Sequence, residues 1–193
     1  MIGKSYKIKA GKTSHWLKRA SPTPEHITLI NKYMKVKNPV TLDVGCAEGE
    51  NTSIFAQSGF KAVGIDYNKS FLDLATEKYP SIKFEFGDVE KMKYKTGAFD
   101  LVYCINTLFY TNLDKSIPEI LRVVKANGFA FITFDTKIID LDKEVIIHRA
   151  SLDTLKNLVG EGATIVYMKS RQRTDKTPFK HRHVYYDILI KKV

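Results

Sequence analysis

The sequence is poor in cysteine and contains no long apolar run. Only two cysteines, Cys46 and Cys104, occur among 193 residues, which excludes the disulfide framework of a small secreted domain. Because the five histidines are scattered along the chain, we expect no zinc site. No apolar stretch approaches the roughly 20 residues of a membrane-spanning helix, and the amino terminus lacks the apolar core of a signal peptide. These absences predict a cytoplasmic protein with free thiols and no membrane segment.

The charge of the chain is unevenly distributed. The formal net charge is +10, yet residues 41–140 hold eleven Lys and Arg against fourteen acidic residues. Residues 1–40 hold nine basic residues against one acidic residue, and residues 141–193 hold eleven against six. Since this length fits one domain, the positive excess lies in its flanks. Such flanks could attract an anionic partner such as RNA, or they only keep the protein soluble.

A glycine turn between a predicted strand and a predicted helix is the central feature of the chain. Residues 40–44 form an apolar run that carries Asp43, and Gly45 and Gly49 bracket the turn that follows. Polar residues 51–53 are typical of a helix start and predict a helix from about Thr52. Because glycine has no Cβ and tolerates positive φ, its backbone can approach a ligand closely at the end of the strand.

Further strand patterns follow at regular intervals, and acidic residues follow two of them. Residues 61–66 form a short apolar strand that ends at Asp66, with Tyr67 next. Residues 82–86 alternate apolar with charged side chains and lead to Asp88. Strand ends without a ligand have no need of a carboxylate, so these acids together with that of the first strand predict a binding site. The remaining two strand patterns are residues 99–104 and 129–134.

This ordered set resembles the class I S-adenosylmethionine-dependent methyltransferases, especially the small type 11 group, over about residues 38–136. The glycine turn is similar to the family's (D/E)-x-G-x-G-x-G motif, with Ala47 in place of the middle glycine. The resemblance implies an α/β fold: a Rossmann-like three-layer sandwich with a mostly parallel seven-stranded sheet and an antiparallel seventh strand. It also implies S-adenosylmethionine as cofactor, S-adenosylhomocysteine as product, and methyl transfer by in-line displacement.

The resemblance also assigns roles to residues at the strand ends. It implies that Asp43 lies at the methionine end of the cofactor and that Asp66 accepts both ribose hydroxyls. Tyr67 would pack on the adenine, and Asp88 would lie near the adenine amino group. The full set of cofactor-binding residues implied in this way is Asp43, Gly45, Cys46, Ala47, Gly49, Asp66, Tyr67, Asp88, Val89, Cys104 and Ile105.

We expect a single methyltransferase domain over residues 1–193, made of three consecutive parts. Thr23 is predicted to begin a helix that ends before Pro39. Two closing strands, at residues 164–168 and 183–190, are predicted to flank a basic loop at residues 169–182. The three parts are a basic cap and helix (1–37), the cofactor-binding core (38–136), and a carboxyl-terminal helix and strand pair (137–193).

The sequence says least about the methyl acceptor. Amino-directed nucleic-acid base methyltransferases carry (N/D)-P-P-(Y/F) after the fourth strand, whereas residues 106–109 contain no proline. Cys104 lacks the proline setting of a cytosine C5 nucleophile, which disfavours a covalent mechanism. The histidine candidates could equally be ordinary surface residues without a catalytic role. The candidates for a catalytic group are Asn106, Tyr110, His181, His183 and His15, and those for the acceptor wall are Tyr6, His15 and Trp16.

Four functional hypotheses follow from these patterns. The favoured one is a methyltransferase that acts on a small molecule, and the second is one that acts on RNA or another polyanion through the basic flanks. The third is a non-catalytic module that binds S-adenosylmethionine. A nicotinamide-dependent oxidoreductase is the fourth, but it would carry G-x-G-x-x-G with an acid about 20 residues on and no antiparallel strand in the closing pair. The oligomeric state is not predicted.

Overall fold

The computed structural model describes residues 23–176 and 180–193. Its helices and strands belong to one layered α/β arrangement around a single sheet. In chain order they are α1 (Thr23–Tyr33), β1 (Val40–Val44), α2 (Glu50–Gln57), β2 (Lys61–Asp66), α3 (Lys69–Lys78), β3 (Lys83–Phe86), β4 (Phe99–Cys104), α4 (Leu113–Val123), β5 (Val124–Asp140), β6 (Val145–His148), α5 (Leu152–Val159), β7 (Ala163–Asp175) and β8 (His181–Lys192). A 3-10 turn spans Leu108–Tyr110.

The sheet has the order β3-β2-β1-β4-β5-β8-β7. Neighbouring strands from β3 to β5 are parallel, whereas β8 is antiparallel to both β5 and β7. This confirms the Rossmann-like fold with an antiparallel last strand. The strand order reverses between β1 and β4, and in open α/β sheets the crevice at such a reversal, at the carboxyl ends of the strands, is where ligands bind.

The carboxyl-terminal part of the sheet differs from the prediction. β5 continues to Asp140, and the additional strand β6 pairs with it, which makes eight strands instead of seven. The predicted basic loop at residues 169–182 is wrong, because β7 continues to Asp175 and β8 begins at His181. Among the described strands, β7 pairs with β8 alone, so its charged side chains can face solvent and form ion pairs along the edge. An edge strand of this kind is rich in charged and polar residues, so its sequence is hard to distinguish from that of a loop.

Two helix boundaries also differ from the prediction. α1 begins at Thr23 as expected but ends at Tyr33, well before Pro39. α2 begins at Glu50 because Gly49, with a φ of 81°, occupies the position before the first helical residue. The polar residues expected to cap α2 therefore lie inside its first turn, where the Thr52 side chain is buried.

Apolar side chains pack on both faces of the sheet. One cluster joins strand residues such as Val102 and Ile132 to Ile117 of α4 and Leu155 of α5. The other joins strand residues to α1 and α2, with Phe55 at its centre. A strand covered on both faces is apolar at nearly every position, which explains the composition of β4. None of the described helices has both the length and the apolar character needed to cross a bilayer.

Candidate active site

The glycine turn lies between β1 and α2 at the carboxyl edge of the sheet. Gly45 and Gly49 have φ of 73° and 81°, a conformation that strains any residue with a Cβ. A Cβ at Gly45 would lie 2.0 Å from Oγ1 of Thr107, and one at Gly49 would lie 2.6 Å from Cζ of Phe84. The Gly45 N–H donates to the Ile65 carbonyl at 2.8 Å. Both glycines are therefore required for the close packing of the turn.

Asp66, the last residue of β2, bonds to this turn. Its Oδ2 accepts a hydrogen bond from the Ala47 N–H at 3.0 Å, and its Oδ1 accepts one from the Asn68 N–H at 2.8 Å. Ala47 has a φ of 46°, uncommon for alanine, and the bond to Asp66 stabilises that conformation. Burial raises the pKa of the Asp66 carboxyl, and its hydrogen bonds to backbone N–H groups oppose the shift. Since a carboxylate has about four acceptor positions, Asp66 can still accept a hydrogen bond from a hydroxyl group of a ligand.

Asp43 lies inside the same edge and is almost fully buried, with 1% of its surface exposed. Its Oδ2 accepts a 2.6 Å hydrogen bond from the Thr52 hydroxyl of α2. Burial raises the pKa of Asp43 to about 7; the Thr52 bond opposes this shift and the charge of Asp66 adds to it. A cation bound beside this carboxyl would favour the charged form and lower its pKa.

The other predicted cofactor residues lie in different environments. Tyr67 has 70% of its surface exposed, and Asp88 is exposed with its Oδ1 accepting from the Glu90 N–H at 2.8 Å. Val89 and Ile105 are both buried. The structure therefore leaves the Tyr67 ring and the Asp88 carboxylate exposed to solvent and buries the side chains of Val89 and Ile105.

The two cysteines are free thiols, as predicted. Cys46 and Cys104 are both buried. Burial raises the pKa of both thiols well above the ordinary value, and the negative charge of Asp43 adds to the effect. Because the thiolate is the reactive form, these thiols are inert.

Asn106 follows β4 and connects this edge to the neighbouring strands. Its φ is 55°, and its N–H donates to Oγ1 of Thr133 on β5 at 2.7 Å. Its side-chain Oδ1 accepts a hydrogen bond from Nη1 of Arg173 on β7 at 3.0 Å. The sequence did not indicate this contact, since Arg173 lies in the segment predicted to be a loop.

We term the glycine turn together with Asp43 and Asp66 the cofactor edge. A second group of polar side chains, which we term the histidine cluster, consists of Asp135, Asp175, His181 and His183. The Nδ1 of His183 lies 3.0 Å from Oδ1 of Asp135, and its Nε2 lies 3.1 Å from Nε2 of His181. Asp175, His181 and His183 are buried. The two histidines are therefore not isolated surface residues. The His-x-His spacing on a strand is a signal for such a pair, whereas nothing in the sequence indicated Asp175.

The Tyr110 ring packs edge-on against the Phe109 ring, with the ring centres 5.0 Å apart. Burial raises the pKa of its phenol, and the charges that act on it include those of Tyr67, Asp135 and Asp175. Its side chain nevertheless keeps 60% of its surface exposed. Of the catalytic candidates, His181 and His183 belong to the histidine cluster and Asn106 bonds to Arg173, while Tyr6, His15 and Trp16 lie outside the described residues.

A half-open cavity of about 150 Å³ lies beside Asp135. Its wall includes Phe109 and Phe134, and the Arg149 guanidinium lies 3.8 Å from the centre of the Phe109 ring. Arg149 also donates to the Phe109 carbonyl at 2.8 Å, which holds that side chain in place. The cavity therefore combines an aromatic wall with one positive and one negative group.

Known proteins share this sequence pattern. Residues 42–132 match the family model of a methyltransferase domain. The sterol 4-C-methyltransferase of Caenorhabditis elegans is 32% identical over 143 residues, which are 70% of this chain and 42% of that protein. A demethylmenaquinone methyltransferase of Chlorobaculum parvum is 32% identical over 98 residues, which are 50% of this chain and 41% of that protein. This chain spans less than half the length of either relative.

Solved structures share the fold. A structure from Methanosarcina mazei, described as a S-adenosylmethionine-dependent methyltransferase, superposes with a TM-score of 0.70 at 17% identity over 86% of this chain and 97% of that one. At this identity the likeness concerns the fold alone. The family model, by contrast, matches the sequence itself from β1 to β5, including the glycine turn and Asp66. Residues 42–132 therefore carry a methyltransferase domain, and this match together with the fold supports the class I S-adenosylmethionine-dependent methyltransferase family.

Proposed function

We propose that this chain transfers the methyl group of S-adenosylmethionine to a small-molecule acceptor. The observation that carries the proposal is the pair of buried carboxyl groups, Asp43 and Asp66, on either side of the glycine turn. Burying two acidic groups side by side is unfavourable without a partner. A cofactor that supplies an ammonium group, a sulfonium and two ribose hydroxyls satisfies both.

In this proposal each part of the edge contacts a different part of the cofactor. Asp66 accepts the ribose hydroxyls through the acceptor positions that the Ala47 and Asn68 N–H groups leave open. Asp43 lies beside the methionine ammonium group. The exposed Tyr67 ring packs on the adenine, while Asp88, Val89, Cys104 and Ile105 line the rest of the site.

The chemistry requires alignment more than a reactive side chain. The methyl group of a sulfonium is already activated, so displacement proceeds when acceptor, methyl and sulfur are collinear. Correct positioning alone can lower such a barrier by about 7–11 kcal/mol in favourable cases. The buried thiols, with their raised pKa values, are not suited to act as nucleophiles. Transfer is therefore direct.

Two observations support a small acceptor over a polymer. The two relatives are named for a sterol and for demethylmenaquinone, both small molecules. The half-open cavity beside Asp135 has Phe109 and Phe134 in its wall, which suits an apolar or aromatic group. Of the twenty basic residues in the two flanks that favoured RNA, six lie in residues 1–22, outside the described part of the chain, and fourteen lie within it. A gel-shift titration with RNA at two salt concentrations tests that alternative, since binding through phosphates weakens steeply with salt.

Calorimetric titration with S-adenosylmethionine tests the cofactor site. We expect Asp66→Ala to weaken binding at least about tenfold, because it removes the acceptor of the ribose hydroxyls and loosens Ala47. Asp73→Ala, which removes an exposed carboxylate from α3, serves as the matched control and should bind as the wild type does. Equal affinity for the Asp66 variant and the control contradicts the proposed site. Binding without methyl transfer to any fraction of a metabolite extract would favour the non-catalytic module.

A further inference from the structure

We infer that Asp175, His181 and His183 form a binding site for one divalent transition-metal ion, with zinc as the best match. The ligand atoms of these three buried residues lie within 4.8 Å of one another. Nε2 of His181 and Nε2 of His183 are 3.1 Å apart, and Oδ2 of Asp175 lies 3.6 Å from the second and 4.0 Å from the first. Two imidazole nitrogen atoms and one carboxylate oxygen thus lie close together, and a bound metal ion would replace the proton that the two nitrogen atoms share.

These separations are close to the distances between neighbouring ligand atoms around a tetrahedral metal ion. Zinc bonds of about 2.0–2.1 Å place neighbouring ligand atoms roughly 3.3 Å apart. The two nitrogen atoms are already near that separation, and the Asp175 oxygen needs to approach by less than about 1 Å to reach it. One ion would therefore contact all three groups without rearrangement of β7 or β8.

The surroundings of His183 support a metal-binding role. Because a carboxylate can only accept, the 3.0 Å contact with Asp135 makes Nδ1 of His183 the donor and directs the lone pair of Nε2 toward His181 and Asp175. A ligating histidine almost always donates its other ring N–H in this way. Arg173 donates from Nε to Oδ2 of Asp175 at 3.0 Å and orients that carboxylate.

The ligand set also indicates which ion binds and in what manner. Two imidazoles and one carboxylate suit zinc and its first-row neighbours, whereas magnesium and calcium prefer oxygen ligands alone. Asp135 and Asp175 are acidic, and the described basic side chain that bonds to this pair is Arg173, a balance that further favours a cation. Three protein ligands leave a fourth position for water or for an oxygen atom of a ligand, as in catalytic rather than structural zinc sites.

The inference does not depend on methyl transfer, and metal binding tests it directly. Protein treated with a chelator and dialysed is titrated with zinc in a calorimeter, and separately with cobalt(II) while visible absorption is recorded. We expect one ion per chain, the d–d band of a four-coordinate cobalt(II) site, and a melting temperature that rises with zinc because only the folded chain presents the site.

Variants locate the site on the chain. His181→Ala and His183→Ala should lose the cobalt(II) band and bind zinc at least about tenfold more weakly, and Asp135→Asn should weaken binding about 10- to 100-fold through His183. His148→Ala, which removes an exposed histidine from β6, is the control and should bind as the wild type does. His181→Gln and His183→Gln serve if the alanine variants do not fold, as judged by far-ultraviolet circular dichroism.

Two results would overturn the inference. One is a wild-type protein that takes up no stoichiometric zinc or cobalt(II), which is decisive even if every variant fails to fold. That result would mean that Arg173 and a shared proton between the histidines complete the cluster without a metal. The other is equal metal binding by folded His181 variants and His148→Ala, which would place the ion elsewhere.

Discussion

The two polar groups at the carboxyl edge of the sheet differ in how the chain builds them. The cofactor edge takes its residues from short segments around β1 and β2, and the glycine turn itself spans only residues 45–49. The histidine cluster takes one residue from β5, one from β7 and two from β8, so it exists only when these strands pair. The residues of the cofactor edge therefore belong to short sequence motifs. Those of the histidine cluster come together only through the register in which distant strands pair.

The same difference appears in how each group handles buried charge. Within residues 23–176 and 180–193, no cationic side chain hydrogen-bonds to Asp43 or Asp66 at the cofactor edge, and burial raises the pKa of both groups. In the histidine cluster Asp175 has Arg173 and Asp135 has His183 within 3.0 Å. The negative charges of Asp43 and Asp66 are therefore left for the proposed cationic cofactor to offset. In the histidine cluster, Arg173 already offsets part of the negative charge. The following predictions test this contrast, beginning with the largest expected effect.

Gly45→Ala should be the most disruptive change at the cofactor edge. The new Cβ would meet Thr107 Oγ1 at 2.0 Å in a backbone with a φ of 73°, and we expect a loss of about 2–4 kcal/mol from strain and overpacking together. Gly59→Ala is the matched control, since Gly59 has a φ of 86° with nothing within 4 Å of its Cβ position. Urea unfolding measures both variants, and cofactor titration should fail for the first alone. Equal losses of stability in the two variants would show that glycine is needed at position 45 for its positive φ and not for the close contact with Thr107.

The pH dependence of stability should report the buried carboxyl of Asp43. Its pKa is 3.8 in an unfolded chain and about 7 in the folded one, so the folded state binds more protons between these values. Stability without cofactor should therefore decline as pH rises from about 4 to about 7, by an amount on the order of 4 kcal/mol at about 1.36 kcal/mol per pKa unit. Asp66 contributes in the same direction.

Urea unfolding at pH 5 and pH 7.5 measures this decline, with Asp43→Asn as the control. The variant should show a smaller decline, because the asparagine does not titrate. Added S-adenosylmethionine should also reduce the decline if its ammonium group lies beside Asp43, and cofactor affinity should rise over the same pH range. If stability declines as steeply in the variant as in the wild type, titratable groups other than Asp43 cause the pH dependence.

Thr52→Val should have an intermediate effect. It replaces the hydroxyl that donates to Asp43 at 2.6 Å with a methyl group of similar volume, and leaves the buried carboxyl with one fewer donor. We expect a loss of about 1–2 kcal/mol at pH 7 and a smaller loss at pH 5, where Asp43 is protonated in both proteins. Thr76→Val, which removes a hydroxyl bonded to the Leu72 carbonyl on α3, is the control. A loss independent of pH would contradict the coupling of Thr52 to Asp43.

Lys192→Met should have the smallest effect, at the far end of β8. The Lys192 ammonium donates to the carbonyls of Leu121 and Val124 at 2.8 Å each, where α4 ends. Removing it should lower stability by about 1 kcal/mol, because carbonyls at a helix end lose a charged donor. The adjacent Lys191→Met is the control, and thermal unfolding compares the two. A loss equal to that of the control would show that the pairing of β8 with β5 alone positions this strand.

The sequence by itself determined the half of the fold whose signals are local. The apolar strands β1, β2 and β4, the glycine turn and the acids at Asp43 and Asp66 follow from composition within windows of about ten residues. Buried parallel strands are apolar at almost every position, and positive φ demands glycine, so both leave a readable pattern. The family resemblance rests on these segments.

Only the tertiary structure decided the rest. β7 shows the polar sequence of a loop because it lies at the edge of the sheet, and its pairing with β8 extends it to Asp175. β5 pairs with both β6 and β8, which carries it far beyond its apolar segment. The histidine cluster follows from this register, since residues 40 or more apart in the chain, such as Asp135 and His183, meet only when antiparallel strands align. Such contacts leave no local periodicity, because the partner that satisfies each side chain lies on another strand.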